Sequence, residues 1–153
     1  GPRARVLAAG EWPAVSVSLS HSAGVGFATA AAGLVHLGCD VEAIAPRSDE
    51  FVSDYFTEDE AAWIRAGAVP YEAAAAPDAR AVRANLLWSA KESALKALGE
   101  GLRKDTRSVV VELGGSDEPG GGEWQAFSVV TAAGERFAGW WRVAEGLVWT
   151  VVG

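Results

Sequence analysis

Residues able to do acid–base or metal chemistry fall in two places in this 153-residue chain. The stretch WSAKESALKALG, Trp88 to Gly99, puts Trp88, Glu92 and Lys96 at i, i+4 and i+8, so that an aromatic ring, a carboxylate and an ammonium share one stripe of a helix. Upstream, Asp40 and Glu42 stand two apart in LVHLGCDVEAI, and on a strand that spacing turns both carboxylates to one face. Three carboxylates offering only oxygen suit a hard cation such as Mg²⁺, which keeps some of its waters and takes substrate phosphates as further ligands. Two plainer readings stand beside this one: Asp-x-Glu as a solvated strand face, and Glu92 with Lys96 as an ordinary helix salt bridge.

The elements that must position these residues are legible in outline. AVSVSL, Ala14 to Leu19, alternates as a half-buried strand and runs into the polar cluster Ser20, His21, Ser22. VGFATAAAG and LVHLGCDVEAI read as two more strands around Gly33, an antiparallel hairpin whose second strand carries Asp40 and Glu42. Ser48 caps a short helix through DEFVSDYF, and Thr57 with Glu60 forms a capping box for a second, EDEAAWIRAG. Pro70 to Pro77 is an alanine-rich connection, after which Asp78 caps the longest helix, stopped by Gly99. RSVVVEL, WQAFSVV, RFAGWWRV and LVWTVV read as strands, with turns at Gly134 and at Glu145-Gly146 and a glycine-rich connection at GGSDEPGGGE. Helices followed by a strand meander predict an α+β fold with antiparallel strands packed on a long helix.

Composition narrows the function. Half of the residues are hydrophobic, enough for one domain with a sizeable core. A formal charge of −7 argues against broad nucleic-acid binding, which needs a basic surface. No apolar run is long enough to cross a bilayer and no signal-peptide layout is present, while the lone Cys39 fits a reducing compartment; a cytoplasmic protein is expected. The chain lacks Met and opens Gly1-Pro2, so residues 1–14 read as a linker or tag scar on an excised domain.

Taken as strings, SLSHS, GCDVE at Gly38 to Glu42 and WSAKESALK at Trp88 to Lys96, with FT-x-x-E at Phe56 to Glu60 between them, resemble the 4'-phosphopantetheinyl transferases of the surfactin-synthetase type. The resemblance runs from about Ser16 to the C-terminus. It implies Mg²⁺-dependent transfer of the phosphopantetheine arm of coenzyme A to a serine of an acyl or peptidyl carrier protein, with adenosine 3',5'-bisphosphate released. It implies Asp40, Glu42 and Glu92 as metal ligands, Glu92 as the base for the acceptor serine with Glu42 as its rival, and Lys96 as a contact to the pyrophosphate. His21 matches a phosphate-contacting position, with Ser20 beside it, and Lys91 is either a further phosphate ligand or a solvated side chain. Trp88 is expected to wedge the long helix against the sheet, Phe56, Trp63 and Leu87 to be core, and an apolar patch around the two short helices to receive a carrier helix. The alternative is a relative that binds coenzyme A or a carrier protein without turnover.

Family members of this type are built from two similar halves, and most of the first is absent here. Residues 15–35 read as its remnant and 36–153 as a complete second half. The rest precedes Gly1 in a longer polypeptide, or the domain is a compact form integrated in a polyketide synthase with its carrier in the same polypeptide, or a neighbouring copy supplies the other wall. The integrated form is the favoured reading, and the oligomeric state stays open.

Overall fold

The structure, a computed structural model, describes residues 14–67, 78–100, 103–113 and 123–153. The expected N-terminal linker up to residue 13, the alanine-rich connection at 70–77 and the glycine-rich segment at 114–122 lie outside these residues. The elements in order are β1 (Val15–Ser22), β2 (Val25–Ala32), β3 (Gly38–Ala43), α1 (Asp49–Tyr55), α2 (Glu58–Ala66), α3 (Ala79–Ala97), a 3-10 turn at Thr106–Ser108, β4 (Val109–Leu113), β5 (Gln125–Thr131), β6 (Arg136–Ala144) and β7 (Leu147–Val152). The fold is α+β: an antiparallel five-stranded sheet, order β3-β7-β6-β5-β4, carries α3 on one face, and β1 with β2 forms a separate two-stranded sheet.

The helices begin and end where local chemistry dictates. Ser48 Oγ accepts from the Phe51 amide at the start of α1, and Thr57 and Glu60 complete a reciprocal capping box on α2. Asp78 accepts from the Arg80 amide at the start of α3. At the other end Gly99, at φ +73°, turns the chain in the left-handed region while the Glu100 amide bonds back to Leu95 O.

The hairpin expected to bring Asp40 and Glu42 alongside the preceding strand is not the one that forms. Ala23 and Gly24, both at positive φ, make a two-residue turn that pairs β1 with β2, Ser22 opposite Val25. β3 instead pairs with β7, Asp40 opposite Thr150 and Glu42 opposite Val148, and so becomes the edge of the large sheet. An edge strand presents unpaired amides, and β1 covers these with side chains rather than with a ladder. The amides of Cys39, Val41 and Ala43 donate to the hydroxyls of Ser18, Ser20 and Ser22 at 2.9, 3.2 and 3.1 Å. A serine at every second position of β1 therefore zips the small sheet onto the edge of the large one.

Beneath α3 the core joins Leu86, Leu87 and Leu95 of the helix to Val109, Val129 and Trp141 of the sheet, with Val52, Phe56 and Ile64 closing it from α1 and α2. Phe56 and Leu87 are core as expected; Trp63 packs at its margin, under the Arg83 guanidinium. β3 lies on α3 with almost no space between the backbones: a Cβ added at Gly38 would sit 1.8 Å from Ser93 O and 2.7 Å from Ala97 N. Gly38→Ala should accordingly cost at least about 2–3 kcal/mol, since neither backbone can step aside; chemical denaturation measures it, and a loss below ~1 kcal/mol would show that the strand can shift.

Candidate active site

The alternation of β3 points Asp40 and Glu42 at α3, and the 88/92/96 stripe of α3 faces them. Asp40 is buried; its Oδ1 accepts from Ser20 Oγ at 2.9 Å and Lys96 Nζ at 3.2 Å, while its Oδ2 is buried with no partner. Glu92 Oε1 is likewise buried and unpartnered. Glu42 is half-buried, 3.7 Å from the Arg47 guanidinium and within reach of the Trp88 side chain. The intrahelical Glu92–Lys96 salt bridge is not among the ion pairs of the described residues: Lys96 reaches off the helix instead, to Asp40 and to the carbonyls of Cys39 at 2.9 Å and Leu19 at 3.3 Å.

The three carboxylates disfavour one another's charge. Burial pushes Asp40 above the ordinary carboxylate range, with Lys96 pulling it back. Glu42 is raised by burial and then by the charge of Asp40. Glu92 is pushed up to about 7, first by burial, then by Asp40, with Lys96 opposing and Glu42 adding.

Among the described residues no trio of His, Cys, Asp or Glu closes tightly enough to clasp an ion as it stands. The donor set nevertheless fits a divalent cation: two desolvated carboxylate oxygens, Asp40 Oδ2 and Glu92 Oε1, have no hydrogen bond, and burial raises the pKa of both carboxylates despite the nearby Lys96. Ser20 lies beside the site but donates to Asp40 and accepts from Val41. His21 is exposed near the β1–β2 turn, with no hydrogen-bond partner among the described residues.

Two expectations fail. Lys91 is neither a phosphate ligand nor solvated: it is wholly buried, 2.8 Å from Glu60 Oε1, and donates to Thr106 O and Val109 O at 2.9 and 2.7 Å. Position 91 lies about 100° around the helix from Glu92, which turns it away from β3 and toward β4. Burial lowers the Lys91 pKa and Glu60 offsets that. Removing one member of such a pair typically costs on the order of 3–5 kcal/mol. Among the described residues the apolar patch expected around the short helices is also missing, because of their large apolar residues only Tyr55 is exposed; the other exposed ones described are Val15, Leu19, Leu34, Val35, Trp124 and Trp140. Trp88 does act as a wedge, but the rings it meets edge-on, Phe51 at 5.0 Å and Tyr55 at 5.2 Å, belong to α1 rather than to the sheet.

Other contributors went unread in the sequence. Ser89 and Ser93 of α3 both bond Thr150 Oγ1 of β7, at 2.9 and 2.6 Å, in a buried hydroxyl cluster. The wholly buried Asn85 donates to Ala45 O and Ala81 O and accepts from Arg47 Nε, holding the chain as it leaves Glu42. Ser89 and Ser93 at i and i+4 on an otherwise apolar helix face were the available signal; their partner on β7 was not.

A pH dependence follows. The folded pKa of Glu92, about 7, lies above its ordinary 4.5, so the contribution to stability is complete below 4.5 and is lost as pH rises through 7. From this group the metal-free protein should lose about 1–2 kcal/mol between about pH 5 and pH 8, after discounting for partial solvent access. Glu92→Gln should flatten the slope and melt higher than wild type at the upper pH. Thermal melts in EDTA measure both, and an unchanged slope in the variant would rule the assignment out.

Comparison with known families agrees with this geometry. The sequence profile of the 4'-phosphopantetheinyl transferase superfamily matches residues 36–141, more than half of the chain, and spans β3, α3 and most of β6. No curated protein matches the chain. With its carboxylate-bearing strand and helix inside the matched segment, the chain belongs to the 4'-phosphopantetheinyl transferase superfamily.

Proposed function

We propose that this domain is a Mg²⁺-dependent transferase that moves the 4'-phosphopantetheine arm of coenzyme A to a serine of an acyl or peptidyl carrier protein. The observation that carries the reading is that Asp40 Oδ2 and Glu92 Oε1, on the packed elements β3 and α3 within the family's matched segment, are both buried and unpartnered. Asp40, Glu42 and Glu92 would hold the ion, whose charge supplies neutralisation of the pyrophosphate oxygens as the bond breaks.

The chain's own residues account for the rest. The acceptor serine oxygen forms a bond to the phosphorus that bears the pantetheine arm, the bond from that phosphorus to the bridging oxygen breaks, and adenosine 3',5'-bisphosphate departs with the electron pair. Glu92 takes the serine proton, since Glu42 is already engaged by Arg47 and Trp88. Lys96 has all three donors in use, so reaching a phosphate oxygen means releasing the longest bond, the one to Leu19 O at 3.3 Å. Ser20 keeps Asp40 oriented, and exposed His21 is free to meet a phosphate.

The surfactin-synthetase type and integration in a polyketide synthase are part of the same proposal; the order of the motifs supports the type. Fusion to the carrier would raise its effective concentration and so offset repulsion between an acidic carrier and this domain of charge −7.

Intact-mass spectrometry of apo carrier proteins incubated with the domain, coenzyme A and Mg²⁺ tests the reading. One phosphopantetheine mass should appear on a carrier serine, vanish on chelation, and fall ~10²–10⁴-fold in rate with Glu92→Ala or Asp40→Ala. Coenzyme A binding by the folded protein without product on any carrier would favour the non-catalytic alternative.

A further inference from the structure

We infer that Lys91 with Glu60, and Ser89 and Ser93 with Thr150, form a two-sided rotational lock on α3 that positions Glu92 for the metal; this rests on the transferase reading above. Successive helix positions are rotated by about 100°, so Lys91 and Ser93 flank Glu92 on opposite sides, with Ser89 on the Ser93 side. On one flank Lys91 Nζ is held at 2.7–2.9 Å by Glu60 Oε1, Thr106 O and Val109 O. On the other, Ser89 and Ser93 hold Thr150 of β7, and Ser93 also reaches Thr150 O at 3.3 Å.

Rotation of α3 in either sense would break one set. The stripe between them, Trp88, Glu92 and Lys96, is thereby fixed against β3. Glu60 makes the lock rigid, because its Oε1 also accepts the Thr57 amide and its Oε2 the Val111 amide at 3.2 Å. One carboxylate thus joins the start of α2, the middle of α3 and β4.

A lone buried ion pair is seldom the most stabilising filling for a core, and apolar substitutes often do as well. What it adds is direction: three short donor contacts fix a helix angle that dispersion forces fix only loosely. Lys91 and Glu60 are accordingly positioning residues.

The test uses the double variant Lys91→Met/Glu60→Gln, which leaves no unpaired buried charge, beside wild type and Val129→Ala, a core truncation on β5. Mn²⁺ binding is read by calorimetry, with melting temperature, kcat and the KM for coenzyme A measured alongside. The lock predicts that the folded double variant binds Mn²⁺ 10- to 100-fold more weakly, in the range of about 10–100-fold seen for outer-shell partners, with kcat reduced and KM changed less than threefold. Val129→Ala should melt lower with Mn²⁺ affinity intact. Unchanged Mn²⁺ affinity in the double variant overturns the lock, as does a raised KM with metal affinity intact, which would return Lys91 to phosphate binding. Wild type that binds Mn²⁺ but transfers nothing defeats the transferase reading alone, while wild type that binds no Mn²⁺ leaves the lock nothing to position and defeats it too.

Discussion

The contact between β3 and α3 is the constraint on which the rest of the structure depends. It is so close that only a glycine fits at position 38, where a Cβ would overlap Ser93 O. That closeness removes water from Asp40 and Glu92, and removal of water is the largest influence on both of their pKa values. A looser contact would leave ordinary solvated carboxylates with little to offer a cation. A contact this tight also means that small errors in helix rotation or strand register would mis-aim the acids, which explains why polar bonds rather than apolar packing alone hold α3 on both flanks.

The edge of the large sheet raises a related problem. β3 carries the acids and is also the edge strand, so half of its amides would face solvent or a foreign strand. Another strand in the ladder would satisfy them but continue the sheet. Serine side chains satisfy them from a separate sheet, and Ser20 serves twice, accepting from Val41 and donating to Asp40. Lys96 reinforces the same junction, joining α3 to β1 through Leu19 O and to β3 through Cys39 O and Asp40. Fold and site share these bonds.

The elements legible in the sequence are those set by local chemistry. Ser48, the Thr57–Glu60 box, Asp78 and Gly99 act within one helical turn, and the positions they predict are the ones observed. The α+β class follows from the order of elements, and the shared face of Asp40 and Glu42 from strand alternation alone. What was hidden depends on which distant segments meet. The choice of β7 over β2 as partner of β3 rests on a turn at Ala23-Gly24 with an alanine at positive φ, a weak signal beside Gly33. The fate of Lys91 was hidden for the same reason: its neighbours Glu60, Thr106 and Val109 lie up to 31 positions away, and a lysine between Ala90 and Glu92 looks no different whether buried or solvated.

The two lysines of the helical motif show how position alone divides labour between like residues. Lys91 and Lys96 are five apart, hence about 140° around the helix from each other, and each ends among backbone carbonyls and one carboxylate. Lys91 is sealed, with its partner equally buried, so its charge is spent on structure and cannot answer a ligand. Lys96 keeps a fifth of its side chain exposed and bonds to a carboxylate whose second oxygen has no partner. Lys96 can therefore give up its bond to Leu19 O when an anion arrives and keep its pair with the buried Asp40, a freedom that the sealed pair lacks.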